Sequence, residues 1–253
     1  MERLVTSAAN AELKKIRSLK DKDARREYGL MIAEGGRTVT DLPDTCVVRT
    51  LVLAESARDE FIRLADRRGV KDVLVVPDKL FRSLCDTVTP SGVLAVVATP
   101  PPARIKANDC MVLDGISDPG NFGTIARTCA ACGVEQILAV NCTDWTSPKV
   151  VRASMGCVFR VSVTELNDPD AAVSALSGHE VCVLDMKGED IFRVKPGKER
   201  PTALVVGSEA HGVSPFFRAR ADKTLSLPMR GGVESLNAAI AASVALYTLV
   251  CGR

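Results

Sequence analysis

The sequence predicts an α/β protein in two parts, the second built around a buried, mostly parallel sheet. Three observations carry this. Apolar runs at 110–113, 134–140, 181–184 and 203–206 alternate with helix-compatible stretches. The run Thr99-Pro100-Pro101-Pro102-Ala103 can continue neither a helix nor a central strand, so it reads as a stiff connector. Residues 113–137, LDGISDPGNFGTIARTCAACGVEQI, read as the end of a strand, a polar loop and a helix.

Taken in order, residues 12–27 come first. Lys14, Lys15, Arg17, Lys20, Lys22, Arg25 and Arg26 outnumber the acids there, over an apolar stripe of Leu13, Ile16 and Leu19. The pattern predicts one amphipathic helix whose basic face suits a phosphate backbone; a plain solvated face is the alternative. Strands are expected at 30–33, 50–54, 73–76 and 93–98, with helices at 56–68 and 78–84. This makes a small α/β domain over 1–98, a linker over 99–108 and a second domain over 109–253. In the second domain the apolar run Met111–Leu113 stops at Asp114, and Asp118-Pro119-Gly120-Asn121 forms a turn. A helix follows, with Arg127 expected to be buried and Gly133 as its C-cap. The last helix is expected over 236–250, with Ile240, Val244 and Tyr247 on one face.

Hydrophobic residues make up 46% of the 253 and charged residues 25%, an ordinary globular balance. No apolar run is long enough to span a bilayer, and residues 1–10 hold no signal-peptide core; a cytoplasmic location is expected. The net charge of +2 neither requires nor excludes nucleic acid. Nine cysteines, an odd number scattered singly, suit reduced core thiols better than a disulfide framework. Cys129 and Cys132 form a C-x-x-C that lacks a second ligand pair. Core packing beside Ile125 is preferred, and no metal is expected.

Three polar loops follow apolar strands. The first holds Asn121 and leads to Arg127. The second, after 203–206, holds Gly207, Glu209 and Gly212; a glycine at a strand end allows close backbone approach. The third, LPMRGGVESLN at 227–237, is a Pro- and Gly-containing loop running into the last helix, whose start offers free N–H groups to a polar ligand. Each feature alone has a structural reading, as a helix cap, a turn glycine or an exposed acid. Together they suggest loops converging on one pocket at the carboxyl edge of a sheet.

These blocks resemble the signature motifs of the SpoU/TrmH class of SPOUT RNA 2′-O-ribose methyltransferases. They are D-P-G-N-x-G-x-I-x-R-T at Asp118 to Thr128, G-x-E-x-x-G at Gly207 to Gly212, and P-M-x-G-x-x-x-S-L-N at Pro228 to Asn237. Residues 147–163, SPKVVRASMGCVFRVSV, resemble the family's R-A-S-x-G segment. Asn10, the lysine-rich helix and Ala33-Glu34-Gly35 resemble more loosely its ribosomal-protein-like substrate-binding domain. Pro43 cuts short the helix expected after Glu34-Gly35, and Ala238 and Ala239 replace bulkier or hydroxyl residues common in the family.

The resemblance implies a SPOUT α/β-knot, with a trefoil knot over roughly 181–250. It implies S-adenosylmethionine as cofactor, contacted by Gly207, Leu227, Met229 and Leu236. It implies a catalytic set of Asn121, Arg127, Glu209, Ser235 and Asn237, a homodimer, and RNA as substrate. The small amino-terminal domain favours ribosomal RNA over tRNA. A guanidinium does not readily give up its proton, so Arg127 is better suited to binding phosphate and stabilising an incipient alkoxide than to acting as a base. His179 and His211 are the conventional bases, and neither is assigned catalysis. A tRNA 2′-O-methyltransferase, a SPOUT base methyltransferase and a non-enzymatic RNA-binding assembly factor remain as alternatives. A dehydrogenase is disfavoured because the first loop lacks G-x-G-x-x-G.

Overall fold

The computed structural model describes residues 2–101, 103–194 and 199–251. Pro102 of the expected connector, and 195–198 and 252–253 of the expected second domain and knot region, lie outside them. In chain order the elements are β1 (Glu2–Leu4), α1 (Ala11–Ser18), α2 (Lys22–Tyr28), β2 (Leu30–Glu34), α3 (Gly36–Thr40), β3 (Val48–Ala54), α4 (Arg58–Arg67), β4 (Asp72–Val76), α5 (Asp78–Leu84) and β5 (Val93–Ala98). Then come β6 (Cys110–Asp114), α6 (Pro119–Ala131), β7 (Gln136–Val140), α7 (Pro148–Ala153), β8 (Ser162–Leu166), α8 (Pro169–Ala175), β9 (Glu180–Asp190), β10 (Thr202–Gly207), α9 (Pro215–Arg220), β11 (Lys223–Ser226) and α10 (Ala238–Leu246). They form two compact units. The first holds the residues up to Pro100 together with Thr146–Phe159; the second holds Pro101–Trp145 and the chain from Arg160 onward.

The first unit carries a five-stranded sheet in the order β1-β4-β3-β5-β2. β1, β4 and β3 run parallel, and β5 is antiparallel to both β3 and β2. Leu13, Leu19, Ile32, Val52, Leu74, Phe81 and Leu94 meet in its core. The single basic helix expected over 12–27 is instead two. Asn10 caps α1 by accepting from the N–H groups of Glu12 and Leu13 at 2.9 and 3.3 Å. The chain then breaks at 19–21, because Arg25 turns inward. Its guanidinium donates to the carbonyls of Leu19 and Lys20 at 2.8 and 2.7 Å and to the Thr146 hydroxyl at 3.0 Å. Gly29, at φ 59°, ends α2 in the left-handed conformation. Lys20 is also used internally, reaching the Cys85 carbonyl at 2.9 Å and the Asp86 carboxylate at 3.0 Å. Lys20 and Arg25 therefore serve the fold, and Arg17 donates to the Ser83 hydroxyl of α5 at 3.3 Å.

The segment Thr146–Phe159, which holds the R-A-S-x-G residues, belongs to this first unit. Val150 and Val151 of α7 are buried. Arg152 lies 3.8 Å from the buried Glu34 and 3.5 Å from Asp86. Glu34 also accepts from the N–H groups of Asp86 and Thr87 and from the Thr87 hydroxyl. Gly156, at φ 77°, sits against Thr38: a Cβ there would lie 3.1 Å from Cγ2 of Thr38.

The second unit carries a six-stranded sheet in the order β11-β9-β10-β6-β7-β8, with every pair parallel. Val112, Leu138, Val183, Val205 and Phe217 form part of its core. β8 and β11 escaped the sequence reading because they are the edge strands. Their sequences, SVTEL and KTLS, mix polar and apolar residues, whereas the inner strands β6, β7 and β10 and the first half of β9 are dominated by apolar residues. Between β9 and β11 the register jumps, from Val183↔Thr224 to Glu189↔Leu225, so residues 184–188 bulge out of β9. Gly188 makes this possible, since a Cβ there would come within 2.5–2.6 Å of the Thr224 and Leu225 backbone.

Candidate active site

β6 and β10 are neighbours at the centre of the second sheet, with Gly207 in register with Asp114. From β6 the chain proceeds outward to β7 and β8; β9 and β11 lie on the far side of β10. Strand order thus reverses between β6 and β10, the place where open parallel sheets leave a crevice at their carboxyl ends. The first two motif loops leave the sheet there.

Asp114 and Asp118 prepare the first loop. Asp114 is a buried carboxylate, and its Oδ2 accepts from the Ser214 N–H at 2.7 Å. This ties the end of β6 to the far side of the second loop. The sequence marked Asp114 only as a strand end, and nothing local reveals a partner a hundred residues away. Asp118, not Asn121, caps α6, accepting from the Asn121 N–H at 2.8 Å. The Asn121 side chain is thereby left for other work. The second loop closes on itself: Ser208 bridges Gly212, whose N–H donates back to the Ser208 carbonyl at 2.8 Å. A Cβ on Gly207 would lie 2.0–2.2 Å from the Gly212 and Val213 backbone, so only glycine fits. The tight loop lifts Glu209 to an exposed tip.

A hydrogen-bonded chain joins the three loops. Asn121 Nδ2 donates to the Glu209 carboxylate. Asn121 Oδ1 accepts from Asn237 Nδ2 at 2.9 Å. Asn237 Oδ1 accepts from the N–H groups of Ala239 and Ile240 at 3.0 and 3.2 Å, capping α10. The amide orientations follow from one another. The helix N–H groups demand an oxygen from Asn237, its nitrogen then demands the oxygen of Asn121, and the remaining nitrogen meets a carboxylate. α6 and α10 pack side by side, with the Thr128 and Ser243 hydroxyls 2.9 Å apart.

Of the expected site residues, Asn121, Glu209 and Asn237 are joined directly. Arg127 is not the buried residue expected. It is exposed, and among the described residues its guanidinium has no hydrogen-bond or ion-pair partner. Ser235 is exposed and does not cap α10, which starts at Ala238 rather than at 236 and gives way to a π-turn at Tyr247–Cys251. Gly207 is buried at the strand end; Leu227 and Met229 are half-buried in the third loop, and Leu236 stays 39% exposed. His211 is exposed in the second loop. His179 is buried just before β9, at the opposite edge of the sheet, with Nε2 3.0 Å from the Asn108 carbonyl. Cys129 is fully buried beside Ile125, and burial raises its thiol above the usual range. Cys132 is half-buried, pushed up to about 12 by burial and by the neighbouring Cys251 thiol.

This arrangement, a parallel α/β sheet whose switch-point loops are locked by an Asn–Asn–Glu chain, defines a class. The chain belongs to the SpoU rRNA Methylase family, whose model matches residues 109–247. Residues 10–95 match the MRM3-like substrate binding domain. The 23S rRNA (guanosine(2553)-2′-O)-methyltransferase RlmP of Bacillus subtilis is 29% identical, over 97% of this chain and 98% of its own. Among solved structures, the AdoMet-bound rRNA methyltransferase from Sinorhizobium meliloti superposes with a TM-score of 0.84 at 30% identity, covering 98% of this chain and 97% of that one. The SpoU methyltransferase AviRb from Streptomyces viridochromogenes, in complex with AdoMet, gives 0.85 at 27%, covering 96% and 98%.

Proposed function

We propose that the protein transfers a methyl group from S-adenosylmethionine to a ribose 2′-hydroxyl of ribosomal RNA. The observation that carries this reading is the Glu209–Asn121–Asn237 chain, which locks the three motif loops together at the switch point of the sheet. Both functions named for the relatives, rRNA 2′-O-methylation and AdoMet binding, fit what the site offers.

The cofactor supplies the reactive methyl group. The protein's part is to place a hydroxyl in line with it and to favour loss of the hydroxyl proton. Leu227, Met229 and Leu236 offer apolar surface at the loop edge, suited to an adenine ring, and Gly207 offers backbone groups at the strand end. Arg127 binds an RNA phosphate and stabilises the forming alkoxide; an exposed, unpaired guanidinium is well suited to this. Asn121, Glu209 and Asn237 hold the loops, and the Ser235 hydroxyl remains for the ribose or the cofactor.

The trefoil knot over roughly 181–250 and the homodimer belong to the same reading. In α10, Ala238, Ala239, Ala242 and Ala245 are buried within the subunit, so the alanine-rich stripe is not the free face. The free face carries Ile240 and Tyr247, 50% and 54% exposed, with Val244 between them. That apolar strip is the surface a second copy would cover. Among the described residues no helix is long and apolar enough to cross a membrane. A cytoplasmic location suits the substrate.

The test is transfer of labelled methyl groups to total RNA, followed by mapping of alkali-resistant positions with and without the protein. A new 2′-O-methyl in ribosomal RNA is the expected result. An alkali-labile product would favour base methylation, and no labelling together with no cofactor binding would favour an assembly factor.

A further inference from the structure

The first unit holds a cavity of about 410 Å³ between α1, α2 and the near ends of β2 to β5, a volume in the range of small-ligand sites. Its lining is mixed: Ile16, Leu19, Leu30 and Val96 give an apolar part beside charged side chains. Tyr28 stands at the cavity, 40% exposed, and among the described residues it is the one exposed aromatic of the first unit. The Lys15 ammonium lies 4.3 Å from the Tyr28 ring centroid, so one face of the ring is already in contact with a cation.

Charge at the cavity is uneven in a useful way. Its two carboxylates, Glu12 and Asp72, are both engaged by Arg3: the guanidinium donates to the Glu12 oxygens at 2.9 and 3.0 Å and forms an ion pair with Asp72. The Thr50 hydroxyl donates to Asp72 as well, at 3.2 Å. The hydrogen bonds that the Arg3 guanidinium donates to Asp72 and Glu12 hold it firmly in its charged form. With Arg3 counted, three cations face two carboxylates, an excess of one, and among the described residues Lys15 and Arg49 have no carboxylate partner. Arg49 is exposed and, among the described residues, has no hydrogen-bond or ion-pair partner.

A partly apolar pocket with an aromatic ring and two cations not bonded to a carboxylate matches a flat base attached to a phosphate. We infer that this cavity receives one unpaired nucleotide of the RNA substrate. Its base stacks on the uncovered face of Tyr28, and its flanking phosphates lie on Lys15 and Arg49. The inference rests on the proposed action on RNA and adds a docking point within the first unit. Single-stranded RNA is recognised in this way because splayed bases present a π-face and an edge, and the backbone presents charge. The basic stretch at 12–27 is divided in its use. Lys20 and Arg25 are spent on the fold, and Lys15 is turned to the cavity.

The test uses the full-length protein and an unstructured, fluorescein-labelled RNA about ten nucleotides long. Tyr28→Ala is expected to weaken binding about tenfold, and Tyr28→Phe to stay within about twofold, because stacking needs the ring and not the hydroxyl. Arg49→Ala is expected to weaken binding and to reduce the salt slope by about one. Cofactor affinity by calorimetry and the thermal midpoint should be unchanged in Tyr28→Phe and Arg49→Ala. Wild-type RNA affinity in Tyr28→Ala would overturn the inference, as would an abasic oligonucleotide that binds as tightly as intact RNA. The two readings fail separately. Methylation of ribosomal RNA with no effect of Tyr28→Ala on RNA affinity sinks the pocket alone. Tyr28-dependent RNA binding with no methyl transfer sinks the enzymatic reading alone.

Discussion

Asn121 joins more of the site than any other side chain, and its role turns on a neighbour. Because Asp118 takes over the helix cap, both ends of the Asn121 amide are free to bridge Glu209 and Asn237. The sequence singles out all three bridging residues. It cannot show the bridge, whose members lie 88 and 116 positions apart. Arg127 was legible in a different sense. Phe122, Ile125, Ala126 and Cys129 repeat at the helical period and are buried, and that stripe leaves position 127 on the outside. The apolar neighbours in sequence suggested burial; the period argued against it. Arg127→Ala is expected to keep cofactor affinity within about twofold and to lower kcat for methyl transfer by about a hundredfold or more. Calorimetry and single-turnover labelling measure the two quantities separately, and full activity in the variant would remove Arg127 from the site. Gly207→Ala places a methyl group 2.0 Å from backbone that cannot swing aside. A loss of about 3 kcal/mol is expected in urea unfolding, together with weakened cofactor binding.

At the level of elements, the sequence reading holds where apolar runs are continuous and fails at edges and breaks. Inner strands β6, β7 and β10 announce themselves because both faces are covered. The edge strands β8 and β11 do not, and neither does the three-residue β1. The break between α1 and α2 depends on Arg25 reaching back to two carbonyls, which periodicity does not encode. The Glu34–Asp86–Arg152–Lys20 cluster makes α7 sensitive to charge. Burial pushes the Asp86 carboxyl up, but the hydrogen bond and charge of Lys20 and the charge of Arg152 outweigh it, and the net shift is downward. A folded-state value below the unfolded one contributes stability above the ordinary carboxylate range and loses it as pH falls through the folded value. Asp86→Asn is therefore expected to be less stable than the parent near neutrality and to show a shallower decline below about pH 4. Denaturant midpoints across pH check this, and parallel curves would contradict it. Arg152→Ala should cost about 1–2 kcal/mol, because it leaves Glu34 buried without its nearest cation.

For the whole molecule, the proline-rich run and the change of pattern beyond it were legible in the sequence, and the two units part at Pro100–Pro101 within that run. The inclusion of Thr146–Phe159 in the first unit was not, because it inserts chain from beyond β7 into a unit otherwise complete by residue 100. This changes what a truncation means. Deletion of residues 1–98 removes β2, against which α7 with its buried Val150 and Val151 packs. The shortened protein is expected to expose apolar surface, seen as increased binding of an environment-sensitive dye, and a lower thermal midpoint; loss of RNA methylation in it would not by itself prove a docking role. Light scattering at micromolar concentration is expected to give twice the 27.0 kDa subunit mass. Ile240→Glu, on the uncovered face of α10, should shift that value toward the monomer. The Asn237 cap has a further consequence, one of timing. The residue that secures Asn121 also starts α10, so the three motif loops cannot be tied together in a chain still being synthesised until Asn237 has left the ribosome. A product cut short before that point would carry the first unit and the first two motif loops without the amide that joins them to the third.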